Sequence, residues 1–354
     1  MELGSKRATL HNVAKKAGVA VSTVSSILNN RPDSWSSQKT RDRVLAAAKA
    51  LDYRPNRMAR ALRTSRFHAA TLVVPDLTNP LFALLARYIQ RALEQTGNDL
   101  LIEDTEWNPA REEKILADVD SHNTDGIIIA PSVDASLYAF RLKELSQNFP
   151  LVLIGPPLPK VQVDTVQADW KVSLAKVLDH LIKLGHQSIG FVDSLANRSD
   201  GLDRVAIFRQ ELAKLGLNLQ DHNWVRCRHE VSEARVATGR WASETSTNNR
   251  ATAFVCTNDL TAIGCIRGFL DAGLSVPEDV SVVGFDDIPM ASYLPRPLTT
   301  IAQPVPQIAE AACQTLLERI EGKLQGPGTH RIFPTSLVIR ETTAAPRGQQ
   351  AIGR

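Results

Sequence analysis

Apolar residues recur along this chain with two different periods, and the change of period divides it. From Thr9 to Leu51 the spacing is helical. Val13, Ala14 and Ala17 share one face of a short helix that Thr9 can cap, and Gly18 can supply a tight turn after it. A second helix, about 21–28, places Val24, Ile27 and Leu28 inward and leaves Val21, Ser22, Ser25, Ser26 and Asn29 exposed. A third, about 37–51, has Val44, Leu45, Ala48 and Leu51 at helical spacing. From residue 69 the texture changes. Continuous apolar runs at 70–74, 100–103, 126–131, 150–155, 188–192, 253–257 and 280–285 alternate with amphipathic patterns at 81–95, 111–121, 172–184, 204–215, 259–272 and 307–321. Such strands between such helices predict parallel sheets covered on both faces. There are too many strands for one sheet, so two doubly wound subdomains are expected, with a break near Ala168.

Between the two textures, Pro55 breaks the third helix and Asn56 can cap a new turn. Every third residue from Arg57 to Arg66 is basic, and Ala59, Ala61 and Leu62 suit a short helix that packs closely on a partner. A solvated linker is the competing reading.

Charge sharpens the division. Residues 1–66 hold fourteen Lys and Arg against four acids, a net +10; the rest of the 354 residues hold 27 against 34, a net −7. A basic head on an acidic body points to a polyanionic partner at one end, with a solvated basic face as the alternative. Two short helices around Gly18 in that basic setting have the form of a helix-turn-helix that enters a DNA groove. The apolar content of 43% and charged content of 22% are ordinary for a globular chain. Cys227, Cys256, Cys265 and Cys313 are widely spaced with no Cys-x-x-Cys, which reads as free thiols in a reducing compartment. No apolar run reaches the roughly 18 residues needed to span a bilayer, and no leader follows Met1. A cytoplasmic protein without membrane contact, metal or cofactor is expected.

The fragments TLHNVAKKAGVAVSTVSSILN, KTRDRVLAAAKALDYRPNRMARAL, VVPDLTNPLF, TDGIIIAP, HLIKLGHQSIGFV, FVCTNDLTAIGCIRGFLDAGLSVPEDVSVVGFDD, PLTTIAQP and PTSLVIRETT, in this order and spacing, resemble the lactose-repressor (LacI/GalR) family of bacterial transcription regulators. The resemblance covers nearly the whole chain. It implies an all-α helix-turn-helix head (1–54), a hinge helix or linker (55–68) and an α/β body (69–345) of two doubly wound parallel-sheet subdomains, as in periplasmic binding proteins. The N-terminal subdomain would comprise about 69–168 and 302–331, the C-terminal one about 169–301 and 332–345, and 346–354 would be a loose tail.

For the head, the resemblance implies base reading by Val21, Ser22 and Ser26, and DNA-backbone contacts by Thr23, Ser25 and Asn29, with Thr9 counted among the DNA-contacting positions. Asn56, Arg57 and Ala59 flank Leu62, which aligns with the leucine that wedges between central base pairs in the minor groove. One wedge cannot form the symmetric pair, so a homodimer, or a tetramer built from dimers, on a pseudo-palindromic DNA operator follows. The chain departs from its relatives in two places here. Ala20 stands where Ser is common, which removes a capping hydroxyl worth on the order of 1 kcal/mol. Ser26 stands where Arg is common, which replaces a bidentate guanine reader by a side chain that bonds several bases indifferently. The loop at 31–37 is also longer by about two residues than the family's.

For the body, ligands of open α/β sheets sit at the carboxyl ends of the strands. Those ends carry Asp76, Asn79, Asp104, Asn258, Asp259 and Asp286, and Arg204 opens a helix nearby. For each strand-end Asp or Asn taken singly, a helix cap is the competing role. Arg204 and Asp286 align locally and firmly, and with Asp76, Asn79 and Asn258 they form the expected site for a small-molecule effector, a polyhydroxylated or carboxylated metabolite. Gly155 and Pro156 replace an acid common in relatives and Ile207 replaces a glycine, which argues for a less hydroxyl-rich or differently shaped ligand. Trp107 and Trp170 read either as stacking platforms or as buried anchors. A transport-type binding protein would show a leader and no basic head. An enzyme would show a phosphate loop, a nucleophile elbow or metal-spaced histidines, and none is found. His186 reads as structural.

Overall fold

The structure, a computed structural model, describes residues 8–28, 36–53, 66–119, 123–132, 139–158, 160–194 and 204–347. The chain forms two compact units, Met1–Phe67 and His68–Arg354.

In the first unit, α1 (Leu10–Ala17), α2 (Val21–Leu28) and α3 (Gln38–Ala50) close around Val13, Ala14, Ala17, Val24, Ile27, Val44, Ala47 and Ala48. The Thr9 hydroxyl accepts the Asn12 N–H while the Asn12 side chain accepts the Thr9 N–H, a reciprocal cap that fixes where α1 begins. Gly18, at φ 64°, ends it in the left-handed conformation. Arg43 of α3 donates to the Ala17 carbonyl at 2.9 Å and fastens the third helix to that turn. Two expectations about side-chain facing are corrected. Ser25 is buried rather than exposed, because α2 is crossed by both α1 and α3 and its covered stripe extends about 100° beyond Val24. Leu45 faces solvent and Ala47 takes its place, since 44, 47 and 48 form the inward i, i+3, i+4 set.

The second unit runs β1 (Ala69–Val74), α4 (Pro80–Glu94), β2 (Asp99–Asp104), α5 (Pro109–Ala117), β3 (Gly126–Ile129), α6 (Ala139–Asn148), β4 (Leu151–Ile154), β5 (Asp164–Ala168), α7 (Trp170–Lys183), β6 (Ile189–Asp193), α8 (Arg204–Lys214), β7 (Trp224–Arg226), α9 (Val231–Glu244), β8 (Ala253–Cys256), α10 (Asp259–Asp271), β9 (Ser281–Val283), β10 (Thr300–Ala302), α11 (Val305–Ile320), β11 (His330–Phe333) and β12 (Ser336–Val338). One sheet has the order β11-β5-β4-β3-β1-β2 and another β7-β6-β8-β9, all pairs parallel; β10 and β12 pair antiparallel. Apolar residues of α4 and α11 cover one face of the first sheet and those of α5 and α6 the other. For the second sheet α9 and α10 cover one face, α7 and α8 the other. Each subdomain is therefore doubly wound. β11 runs to Phe333.

The sheets are discontinuous in sequence. After β10 the chain returns to the first sheet through α11 and β11, then comes back to the second. There Thr342 O accepts the Val282 N–H at 2.8 Å and the Ala344 N–H bonds Ser281 Oγ at 3.0 Å. His186 fixes this last segment: its ring meets Thr252 Oγ1 at 2.9 Å and donates to the Ala344 carbonyl at 2.9 Å. Burial lowers its pKa to about 4, so it stays neutral. At the N-terminal ends of β4 and β5, the buried Asp164 receives Arg319 of α11 through Nε (2.7 Å) and Nη2 (3.0 Å) and Thr329 through its N–H (2.7 Å) and hydroxyl (2.8 Å). The same guanidinium donates to the carbonyls of Gly326 and Pro327, holding the turn that leads into β11. The four cysteines are free, with Cys256 and Cys265 in van der Waals contact at 3.7 Å. Among the described residues no helix is long and apolar enough to cross a membrane.

Candidate functional sites

On the head, Val21 (39% exposed) and Ser22 lie at the exposed start of α2, with Thr23 and Ser26 half-buried behind them. Thr9 is engaged in its cap and Ser25 is buried, so neither presents a bare hydroxyl beside Val21 and Ser22. Asn29, Asn56, Arg57, Ala59 and Leu62 lie outside the described residues. Within the described face the donors near the start of α2 are short hydroxyls, a chemistry suited to phosphate or water-mediated contacts more than to bidentate base reading.

In the body, parallel topology brings the C-terminal strand ends of each sheet to one edge. Asp76 accepts the Thr78 N–H (2.7 Å) and hydroxyl (2.6 Å); Asn79, buried, caps α4 by accepting the Leu81 N–H (3.0 Å). Asp104 accepts from the N–H groups of Leu77 and Glu106. Across the body, Asn258 caps α10 by accepting the Thr261 N–H at 2.7 Å. The local cap role is therefore filled by Asn79 and Asn258.

Arg204 and Asp286 sit together at the second sheet. Arg204, the first residue of α8, donates to the Thr257 carbonyl at 3.0 Å. Its guanidinium carbon lies 5.2 Å from the Trp170 ring and 5.7 Å from the Phe285 ring, a cation held against two π faces. Asp286 is buried at φ 124°, a left-handed conformation costly for a non-glycine residue, and its N–H bonds the Ile301 carbonyl at 2.8 Å. Its carboxyl receives Gln303 Nε2 at 2.6 Å. Burial, and next the charge of Asp259, push the Asp286 carboxyl well above the usual carboxylate range, while Gln303 and Arg204 oppose this without reversing it. Asp259 itself, fully buried, accepts the Ile288 N–H and the Thr300 hydroxyl, and burial raises it to about 6.

Three features here were not readable as partners in sequence. The Ser194 and Thr257 hydroxyls bond at 2.6 Å at the ends of β6 and β8. Gln303, inside the quoted TIAQP, reaches Asp286 from the crossover between subdomains. Trp107, after β2, stacks face to face on His229, after β7, with ring centroids 3.5 Å apart and planes within 3°. These loops belong to different sheets, so the stack spans the gap between the subdomains. Phe82 meets Trp107 edge-on at 6.4 Å, and Leu81 of α4 packs on the core of the second sheet. The tryptophan is conspicuous in the sequence, but nothing in the local pattern marks His229 as its partner.

A helix-turn-helix unit followed by a body of two doubly wound subdomains, with polar strand ends facing one gap, is the build of a ligand-responsive DNA-binding regulator. Residues 9–56 match bacterial regulatory proteins of the lacI family, and residues 178–343 match the periplasmic binding protein-like domain. The chain is 32% identical over 346 residues to the HTH-type transcriptional regulator MalR of Streptomyces coelicolor, covering 96% of this chain and 98% of that one. It is 29% identical over 341 residues to GalR of Escherichia coli, with 96% of each covered. Among solved structures, the lac repressor dimer bound to operator and the anti-inducer ONPF superposes with a TM-score of 0.82 at 26% identity, over 96% of this chain and all of that one. A CelR–cellobiose complex gives 0.69 at 25% identity, over 95% and 100%. The chain belongs to the LacI family of bacterial transcription regulators and is a DNA-binding transcriptional regulator with a sugar-binding-type domain.

Proposed function

We propose that this regulator is a repressor that binds a pseudo-palindromic operator as a dimer, under control of a small-molecule effector, a sugar or related metabolite, held between the two subdomains. The lac repressor relative is a dimer on its operator, and the CelR relative holds cellobiose. On this chain Tyr293 (86% exposed) and Met290 leave bare apolar surface on the body that a second copy would cover. The observation that carries the effector reading is the convergence of Arg204, Asp286 and Gln303 at the second sheet's strand ends, beside a gap spanned by the Trp107–His229 stack. An effector acts by binding one closure state better than another, and its influence is limited to that difference in affinity.

DNA selected from genomic fragments provides the operator. Its affinity, measured by mobility shift, should fall about 10³- to 10⁵-fold between 50 and 200 mM salt if six to ten phosphates are contacted. A salt-independent affinity would sink the DNA reading. Trp107→Ala removes one ring of the stack, worth about 0.5–1.5 kcal/mol beyond burial. Small-angle scattering should then show a more open body, with operator affinity shifted about two- to tenfold. An unchanged scattering profile would mean that the stack does not hold closure.

A further inference from the structure

The N-terminal edge of the first sheet, opposite the strand ends that carry Asp76 and Asn79, holds a cavity of about 650 Å³. It lies where α6 and α11 end and β4 and β5 begin, one strand length from that other edge, roughly 13–20 Å at 3.3 Å per residue. Small-molecule sites run from about 300 to 1,000 Å³, so the size is ordinary for one. Its floor is the enclosed pair of Asp164 and Arg319, whose charges cancel. All five guanidinium donors are spent, two on the carboxylate and three on the carbonyls of Leu324, Gly326 and Pro327. The pair is therefore a fixed base that offers a ligand no donor.

The walls differ. Lys143 of α6 and Lys160, shortly before β5, both line the cavity, and neither ammonium has an ion pair or hydrogen bond among the described residues. Glu144, the acid beside Lys143 in sequence, is held by Arg141 at 2.7 Å. Lys160 stands at φ 64°, a left-handed conformation that costs a lysine energy and that its surroundings must impose. The C-termini of α6 and α11 bring about half a negative charge each, which leaves the two ammoniums in surplus. The amide side chains of Gln147, Asn148 and Gln162 also line the cavity without partners among the described residues, and each amide can both donate and accept.

We propose that this cavity is a second ligand site, for a small phosphorylated metabolite whose phosphate is drawn by Lys143 and Lys160 and whose hydroxyls meet the three amides. Lysine binds phosphate as a point charge. A neutral sugar would use the amides and leave both charges unmet. A nucleic-acid backbone needs an extended track, whereas this is a recess closed below by an ion pair. The site is separate from the proposed effector gap and does not depend on it. A ligand here rests on the Asp164–Arg319 pair that ties α11 to β5, and binding only the folded chain it stabilises the body.

Full-length protein without DNA is titrated calorimetrically with ribose 5-phosphate, adenosine 5′-monophosphate and inorganic phosphate, with ribose as the neutral counterpart. At least one organic phosphate should bind about tenfold or more tighter than ribose and raise the melting temperature. The two organic phosphates against each other decide whether a base contributes. Lys143→Gln and Lys160→Gln should each weaken binding about threefold and together about tenfold or more, with unchanged melting of the free protein. Lys171→Gln, at an exposed lysine of α7 outside the cavity, should leave it within about twofold. The proposal is overturned if neither organic phosphate binds at millimolar concentration, whether or not inorganic phosphate does, or if ribose binds as well as they do. It is equally overturned if the double variant binds like the wild type, which would put the phosphate elsewhere, or if Lys171→Gln loses as much. A double variant that keeps no phosphate preference to lose, but weakens operator binding and lowers its salt slope by about two, would make these lysines DNA-backbone contacts instead.

Discussion

Replacing Arg319 by alanine is expected to destabilise the body by about 3–5 kcal/mol, because it strands the buried carboxylate of Asp164. The pair is enclosed, with Arg319 side chain 16% and Asp164 4% exposed, and the guanidinium also serves the carbonyls before β11. Urea unfolding of the wild type and Arg319→Ala, followed by tryptophan fluorescence, measures the difference directly. It should depend on pH with a definite sign. Burial alone would raise the Asp164 pKa, but the bonds from Arg319 and Thr329 and the Arg319 charge outweigh it and hold it below the usual value. A depressed acid contributes stability that is present above its unfolded pKa, near 4, and is lost as pH falls through the folded value. The gap between the two proteins should therefore be full at pH 6 and narrow in acid. A gap that stays constant to pH 3 would show that Asp164 is not the group concerned.

The second large effect is expected at Gly268. α9 and α10 pack so closely that a side-chain carbon at Gly264 would lie 2.7 Å from the Ala234 Cβ, and one at Gly268 would meet Thr238 and the Arg235 carbonyl. Rigid backbone lies on the far side, so relief requires moving a helix. Gly268→Val should cost about 3 kcal/mol or more in urea unfolding, at or above the upper end for overpacking. Gly216→Ala is the contrast. Nothing lies within 4 Å of the added carbon, and only the left-handed φ of 74° resists it, for about 1–2 kcal/mol. Equal losses at the two positions would refute close helix packing as the cause.

Sequence periodicity sufficed where one physical requirement dominated. The strands at β1, β3, β4 and β8 are buried on both faces and read as unbroken apolar runs. It failed where burial is achieved by small or polar residues. α9 buries Ala234, Thr238, Trp241 and Ala242, too few large apolar positions to show a helical stripe, and its close approach to α10 explains why small residues suffice. Among the described residues β11 pairs with β5 at the sheet's edge and is largely exposed, so its residues show no apolar run. β7 is three residues long. At the candidate site, Arg204 and Asp286 were expected together because their neighbours align locally, and the structure places them near each other at the second sheet. Asp76, Asn79 and Asn258 were legible as polar strand ends, but whether such a residue caps a helix or meets a ligand depends on where its oxygen is bonded, which spacing does not encode. His229 and Gln303 matter through partners more than a dozen residues away. Pattern along one segment carries no trace of such pairings.

The order in which the sheets draw on the chain also constrains how the body is made. As the polypeptide leaves the ribosome, β1 to β5 emerge early, yet the helix that covers one of their faces spans 305–320 and the strand that edges them ends at 333. The second sheet waits longer still, for Thr342 and Ala344 to reach Val282 and Ser281. Neither subdomain can complete its core until residues 305 to 344 have been made, and until then the first sheet lacks the helix that covers one of its faces. Because β1 to β5 need α11 and β11, and the second sheet needs the segment after β12, the two halves of the proposed effector site become complete together.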